Sequence, residues 1–312
     1  MRSRILMVAG GNALAWRAGG VAMGPRRPWL GAIWGAAAAG LWGGGLVQAG
    51  EPGGDAFARA EWTPLFAGVE HAAVHLAKPR LIEAQVLRVQ LGTPGLSVLA
   101  TPGNGEEPGE TTGEKTSRFL KRQRCQAAIN AAPFDKVSTV EGLPLDISGL
   151  QVSAGEVVSP DGGYPALLFL GDGRARIQQG PFALGEIREA VCGFQVVLAE
   201  GKTVATDEKL HPRTGAGVSE DGRTLWLLVV DGRQVGRSEG CTTLEMAAWL
   251  HALGASSGIN LDGGGTSTMA VEGAGGEPRV LNRPIHAGVP GLERPSGSHL
   301  GIRAAPLAPR GK

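Results

Sequence analysis

The chain has 312 residues, 42% of them hydrophobic, which supplies enough apolar surface for a sizeable core and excludes a disordered protein. Its 30 Lys and Arg stand against 29 Asp and Glu, leaving a formal charge of +1. No basic stripe able to neutralise a phosphate backbone is present, so no nucleic-acid partner is expected.

In chain order, Arg26-Arg27 is followed by an apolar Gly/Ala-rich run and then by Val47-Gln48-Ala49. This is the layout of a signal peptide cleaved after Ala49, and Arg26-Arg27 before Trp29-Leu30 resembles a twin-arginine signal. The competing reading is an N-terminal membrane anchor, although the run is only as long as a minimal span. Met23 offers an alternative start. Residues 1–49 are therefore assigned to the signal and start region, 50–61 to a flexible linker, 62–306 to one domain and 307–312 to a disordered tail. The mature protein is expected to be secreted or periplasmic, with no stable membrane span.

Leu81 to Leu91 alternates partly at period two, the mark of a half-buried strand, and the Gly95–Ala100 stretch GLSVLA follows as another. Thr116 to Gln123 suits a short helix, and the segment ending at Asn130 a buried strand. From Leu150 to Val204, short apolar runs are separated by turns such as Asp172-Gly173 and Glu200-Gly201, which predicts hairpins. Asp221-Gly222 turns into a continuously apolar, buried strand from Leu225 to Val230. Thr242 and Glu245 have capping-box spacing, and Gly254 closes the helix that they open. A short strand, Gly258 to Leu261, then delivers Asp262 to a strand end. The expected class is α+β (mixed α/β), a central multi-stranded, mostly antiparallel or mixed sheet with packed helices in a single catalytic domain.

Cys125, Cys192 and Cys241 are isolated, which excludes a zinc ribbon and favours burial over one disulfide plus a free thiol. His71 and His75 are four apart, but the strand pattern after Lys78-Pro79 argues against a metal pair on a helix. His211, His286 and His299 are isolated in sequence. No dedicated metal or cofactor motif appears, and a bridging calcium or magnesium ion between carboxylates is left open.

Asp262 stands directly before Gly263, Gly264 and Gly265 and then Thr266, Ser267 and Thr268. Glycines let a backbone approach a ligand and expose N–H groups to an anion, and a carboxylate beside such a cradle suggests chemistry. The bland alternative is a structural turn that Asp262 caps. Likewise Asp231-Gly232 fits a turn after a buried strand, Glu245 fits a helix cap and Arg213 fits a surface ion pair.

The segments HPRT (His211 to Thr214), VVDGR (Val229 to Arg233) and NLDGGG (Asn260 to Gly265), in that order, resemble the phosphodiester glycosidase family, and the likeness runs from about Val74 to Ile302. The resemblance implies an enzyme that removes a sugar from a phosphodiester, so the expected partner is a phosphorylated glycan or sugar phosphodiester. It implies catalytic roles for Asp262, Asp231, Arg213 and Glu245, and substrate contacts from Asn130, Thr214, Gly263, Gly264, Gly265, Thr266, Ser267, Arg294 and Ser298. Asp262 would act on the anomeric carbon as nucleophile or base, with Asp231 as second candidate. Arg213 would fork two phosphate oxygens. Two departures stand out: Ala131-Ala132 follows Asn130 where members usually have Gly-Gly, and Ser298 replaces a common Asn. The Ala131-Ala132 departure motivates one competitor, a non-catalytic envelope protein that binds phosphorylated polysaccharide; a further alternative is a metal-dependent phosphodiesterase that breaks the P–O bond.

Overall fold

The computed structural model describes residues 53–308, so the expected signal peptide, the alternative start at Met23 and the end of the expected tail lie outside the described residues. The strand Thr224–Val230 shows how the layers are built. Leu225, Leu227 and Val229 enter one buried cluster with Ile129, Leu167, Val271 and Leu300. The alternate residues Trp226, Leu228 and Val230 enter a second, with Phe57, Met246, Trp249 and Leu250. Both faces are covered, which is why this strand is apolar throughout.

That strand lies inside an eight-stranded sheet running, edge to edge, Thr63–Phe66, Val69–Leu76, Ile82–Gln90, Thr224–Val230, Arg213–Val218, Ser257–Asn260, Gln195–Ala199 and Lys202–Thr203. A second sheet runs Pro278–Val280, Met269–Glu272, Ala127–Asn130, His299–Arg303 and Ser97–Ala100. A third runs Ala175–Gln178, Ala166–Leu170, Ile187–Cys192, Gln151–Ser153 and Glu156–Ser159. Every pairing in these sheets is antiparallel. The α+β expectation therefore holds only coarsely: the pairing is antiparallel, but several sheets stand in place of one central sheet and the described helices are few. Short apolar runs joined by tight glycine turns can make hairpins but lack the dozen or more residues that a parallel crossover needs. At one such turn Glu200 and Gly201 both have positive φ, 50° and 71°, as a two-residue hairpin requires.

The described helices are few: α1 (Gly54–Ala58), α2 (Thr116–Gln123) and α3 (Thr243–Ala252). Phe119 and Leu120 of α2 pack on Ala128 and Ala270 of the second sheet. α3 begins with the capping box foreseen from the sequence: Glu245 N–H donates to Thr242 Oγ1 (3.0 Å), and Thr242 N–H donates to Glu245 Oε2 (2.9 Å). It lies directly on the Arg213–Val218 strand because that strand has glycine where the helix passes. A Cβ at Gly215 would stand 2.6 Å from Met246 Sδ, and one at Gly217 3.1 Å from Leu250 Cδ2.

The expected linker is corrected in part. Residues 54–58 form α1, whose Phe57 is buried and stacks on Trp249 with ring centroids 4.7 Å apart. Glycines 53 and 54 concealed a helix too short to announce itself by periodicity. The three cysteines are buried free thiols, with burial pushing Cys125 up to about 11 and Cys192 and Cys241 up to about 12. Among the described residues no helix is long and apolar enough to cross a membrane. Phe57→Ala removes the anchor of α1 and should lower unfolding stability by about 3 kcal/mol, read as a fall in the urea midpoint.

Candidate active site

Two strand ends meet at the site. Leu261 N–H continues the large sheet by donating to Thr214 O (2.9 Å), and Asp262 N–H crosses to Ala131 O at the end of the second sheet (2.8 Å). The side chain of Asn130 secures the junction. Its Nδ2 donates to Asp262 O (2.8 Å) and Thr266 Oγ1 (3.2 Å), while its Oδ1 accepts from Thr214 Oγ1 (2.7 Å) and Thr268 N–H (3.1 Å). Ala131 and Ala132 need no positive φ, so their replacement of the usual glycines fits an ordinary backbone.

Asp262 is 8% exposed and lines a cavity of about 270 Å³ together with Phe194, His211, Arg213, Arg233, Asn260 and Arg294. Its Oδ2 accepts from Thr266 Oγ1 at 2.6 Å and lies 3.6 Å from Arg294 Nη2. Burial pushes the carboxyl above its ordinary 3.8, against the pull of the Thr266 hydroxyl, the Arg294 charge and the Gly263 N–H. Gly264 has φ 68°, and its N–H is spent on Pro212 O (2.8 Å), so the glycines shape the turn more than they offer a row of free amides. A Cβ on Gly264 would stand 3.3 Å from Arg233 Nη1. The neighbouring Gly265 has Arg294 against it, Nη1 standing 3.4 Å from a built Cβ.

The remaining sequence-predicted residues divide sharply. Arg213 is buried but its fork is engaged: Nε donates to Cys241 O (2.8 Å), and Nη2 to Lys209 O (2.8 Å) and Asp207 Oδ2 (2.7 Å). It therefore holds its own loop together at the cavity edge, in place of the open phosphate fork that was expected. Asp231 does not line the cavity. Its carboxylate accepts from Asn282 Nδ2 (2.9 Å) and Arg283 N–H (2.9 and 3.1 Å), and burial pushes it up to about 6. Glu245 is likewise absent from the cavity lining and serves the capping box and an ion pair with Arg80. Asn130 and Thr214 are fully buried behind Asp262, so they support the site from beneath. Ser298 donates to Gln151 Oε1 at 2.6 Å, joining the second and third sheets instead of forming a rim. Ser267 is buried, its carbonyl accepting from Asn282 Nδ2 at 2.9 Å. Arg294, expected at the rim, is the cation nearest Asp262 and also donates to Gly263 O (3.1 Å).

Six residues lining the cavity were not among the expected site residues: Phe194, His211, Pro212, Arg233, Asn260 and Leu261. His211 and Pro212 lie in the HPRT segment and Asn260 and Leu261 in NLDGGG, which were signals the sequence offered, and Arg233 closes the VVDGR segment. It is solvent-exposed and Nη2 lies 3.2 Å from His211 Nδ1. Burial, then the charges of Arg213 and Arg233, lower the His211 pKa. Of the other histidines, His71 meets Gln85 (2.7 Å), His75 meets Glu83 (2.6 Å), and His299 stacks on Phe119. Among the described residues, no three of His, Cys, Asp or Glu converge as a metal site would require.

A family model described as phosphodiester glycosidase matches residues 123–303. The SPbeta prophage-derived uncharacterized protein YomE of Bacillus subtilis is 30% identical over 181 residues, which are 53% of this chain but only 27% of YomE. The zebrafish N-acetylglucosamine-1-phosphodiester alpha-N-acetylglucosaminidase catalytic domain, solved auto-inhibited by its pro-peptide, has a similar fold: TM-score 0.59 at 19% identity, covering 77% of this chain and 84% of that one. A Burkholderia pseudomallei protein, named as a candidate exported protein, gives TM-score 0.54 at 18% identity, covering 72% and 74%.

Asp231 yields a pH signature. A carboxyl whose folded pKa is raised from 3.8 to about 6 favours the fold most below the lower value and loses that contribution as pH rises through the upper one. Asp231→Asn should flatten this part of the stability profile, measured as urea midpoints across the interval.

Proposed function

Since the chain belongs to the phosphodiester glycosidase family, we propose that it hydrolyses the bond between a sugar C1 and the oxygen of a phosphodiester, with Asp262 as the reacting carboxylate. The observation that carries this reading is the convergence of Asp262, Arg233 and Arg294 on one cavity. A phosphodiester leaving group departs as a stabilised anion, so catalysis at C1 needs cations and fixed donors more than a strong general acid. Arg294, beside the carboxylate, and Arg233, exposed at the opening, fill that role in place of Arg213, whose fork is engaged. As the C1–O bond breaks, the phosphate takes the electron pair. Water then supplies hydroxide to C1 and a proton to balance the products. Asp262 serves either by attacking C1 or by activating that water.

The Thr266 hydrogen bond and the Asn130 amide hold Asp262 in place before substrate arrives, which limits the reorganisation that the reaction demands. Arg26-Arg27 and the small-residue site at Ala49 support export to the periplasm or beyond, as does the name of the Burkholderia protein of similar fold.

Incubation with a sugar-1-phosphodiester in heavy-oxygen water should release free sugar carrying the label and an unlabelled phosphomonoester. Label in phosphate, or no turnover by folded protein across a panel of sugars, would overturn the reading. Asp262→Asn should lower kcat by about 10²–10⁴-fold. Because the Asp262 carboxyl titrates above 3.8 in the free protein and must be ionised to act, kcat/KM should fall on acidification with a midpoint above that value.

A further inference from the structure

A second cavity, of about 300 Å³, adjoins the first, and Arg233 and Arg294 line both. Asp262 lines the first and not the second. The second is walled by Gly265, Ile285, His286, Ala287 and Gly288. We propose that this second lobe is the subsite for the group on the far side of the phosphate, that the phosphate sits at the waist between Arg233 and Arg294, and that His286 selects a compact hydroxylated group there. The assignment rests on the reading of Asp262 as the residue at the sugar C1, which fixes the sugar to the first lobe.

The chemistry of the lining narrows the occupant. His286 is only 7% exposed, and its Nε2 is buried with no hydrogen-bond partner; Arg294 Nε is in the same condition. Unpartnered buried nitrogens are costly and are retained most readily where a ligand completes them. Burial and the nearby charge of Arg294 lower the His286 pKa, so the ring is neutral at neutral pH and has one donor and one acceptor. A hydroxyl has the same pair of capacities. None of the residues lining this lobe is a carboxylate that would hold an ammonium group, and apart from the imidazole none has a ring on which a nucleobase would stack. A glyceryl or sugar group fits these constraints, whereas a nucleoside or an amine lacks its usual partner.

The test uses product-side monoesters and so needs no turnover. By calorimetry, the whole protein should bind glycerol 1-phosphate about tenfold more tightly than methyl phosphate, the difference expected of one or two hydrogen bonds. His286→Ala should bring the two affinities together, while His286→Gln, which keeps a donor and an acceptor, should preserve part of the gap. Equal affinities in the unaltered protein, binding of neither ester, or a gap that survives His286→Ala in folded protein would overturn the proposal. A His286-dependent gap together with no hydrolysis of any sugar-1-phosphodiester would instead sink the hydrolase reading and leave a phosphoester-binding lobe.

Discussion

One buried amide sets the geometry of this protein's site. The Asn130 side chain is wholly enclosed, and its nitrogen and oxygen make four hydrogen bonds to three parts of the chain: the Asp262–Thr266 turn, Thr214 on the large sheet and the Thr268 N–H. A network satisfied in this way admits one arrangement, because each displaced member would leave a partner unbonded in a dry interior. The two sheets therefore cannot slide past each other without breaking it, and Asp262 stands where their ends are tied.

From that constraint follows a division of labour between two aspartates. Asp262 is buried yet faces a cavity, with a hydroxyl and a guanidinium against one oxygen. Asp231 is buried at least as deeply, but both oxygens receive the backbone N–H of Arg283 and it serves to fasten that loop. Raised carboxyl pKa values are shared by both, so the shift does not tell them apart; what the carboxylate faces does. The same holds for the arginines, where Arg213 is consumed by carbonyls and Asp207 while Arg233 and Arg294 face open space.

Local features were legible in the sequence wherever a short stretch determined its own conformation. Thr116–Gln123, the Thr242–Glu245 cap, the Glu200-Gly201 turn and the doubly covered strand at Leu225–Val230 all follow from periodicity or turn chemistry. That Asp262 lines the cavity was legible as well, through its glycines and the family resemblance. What could not be read was which polar groups are already taken. Glu245 is matched by Arg80, Ser298 by Gln151, and Arg213 by the Cys241 carbonyl, partners that only the folded chain brings near. The helix at Gly54–Ala58 was hidden for a related reason, since the residues that bury Phe57, Trp249 among them, come from distant parts of the chain.

The connections that carry Arg233 and His286 reach the surface at Val235 to Arg237 and at Ala287 to Gly291, and neither takes part in the Asn130 network. Gln234 bridges them by donating to Arg283 O at 2.8 Å. Lengthening or reshaping either connection would remodel the mouth of the site and leave the tie between the sheets intact. Descendants of this architecture are thus free to reshape that mouth by drift at two loops, while Asp262 stays under the guard of the core.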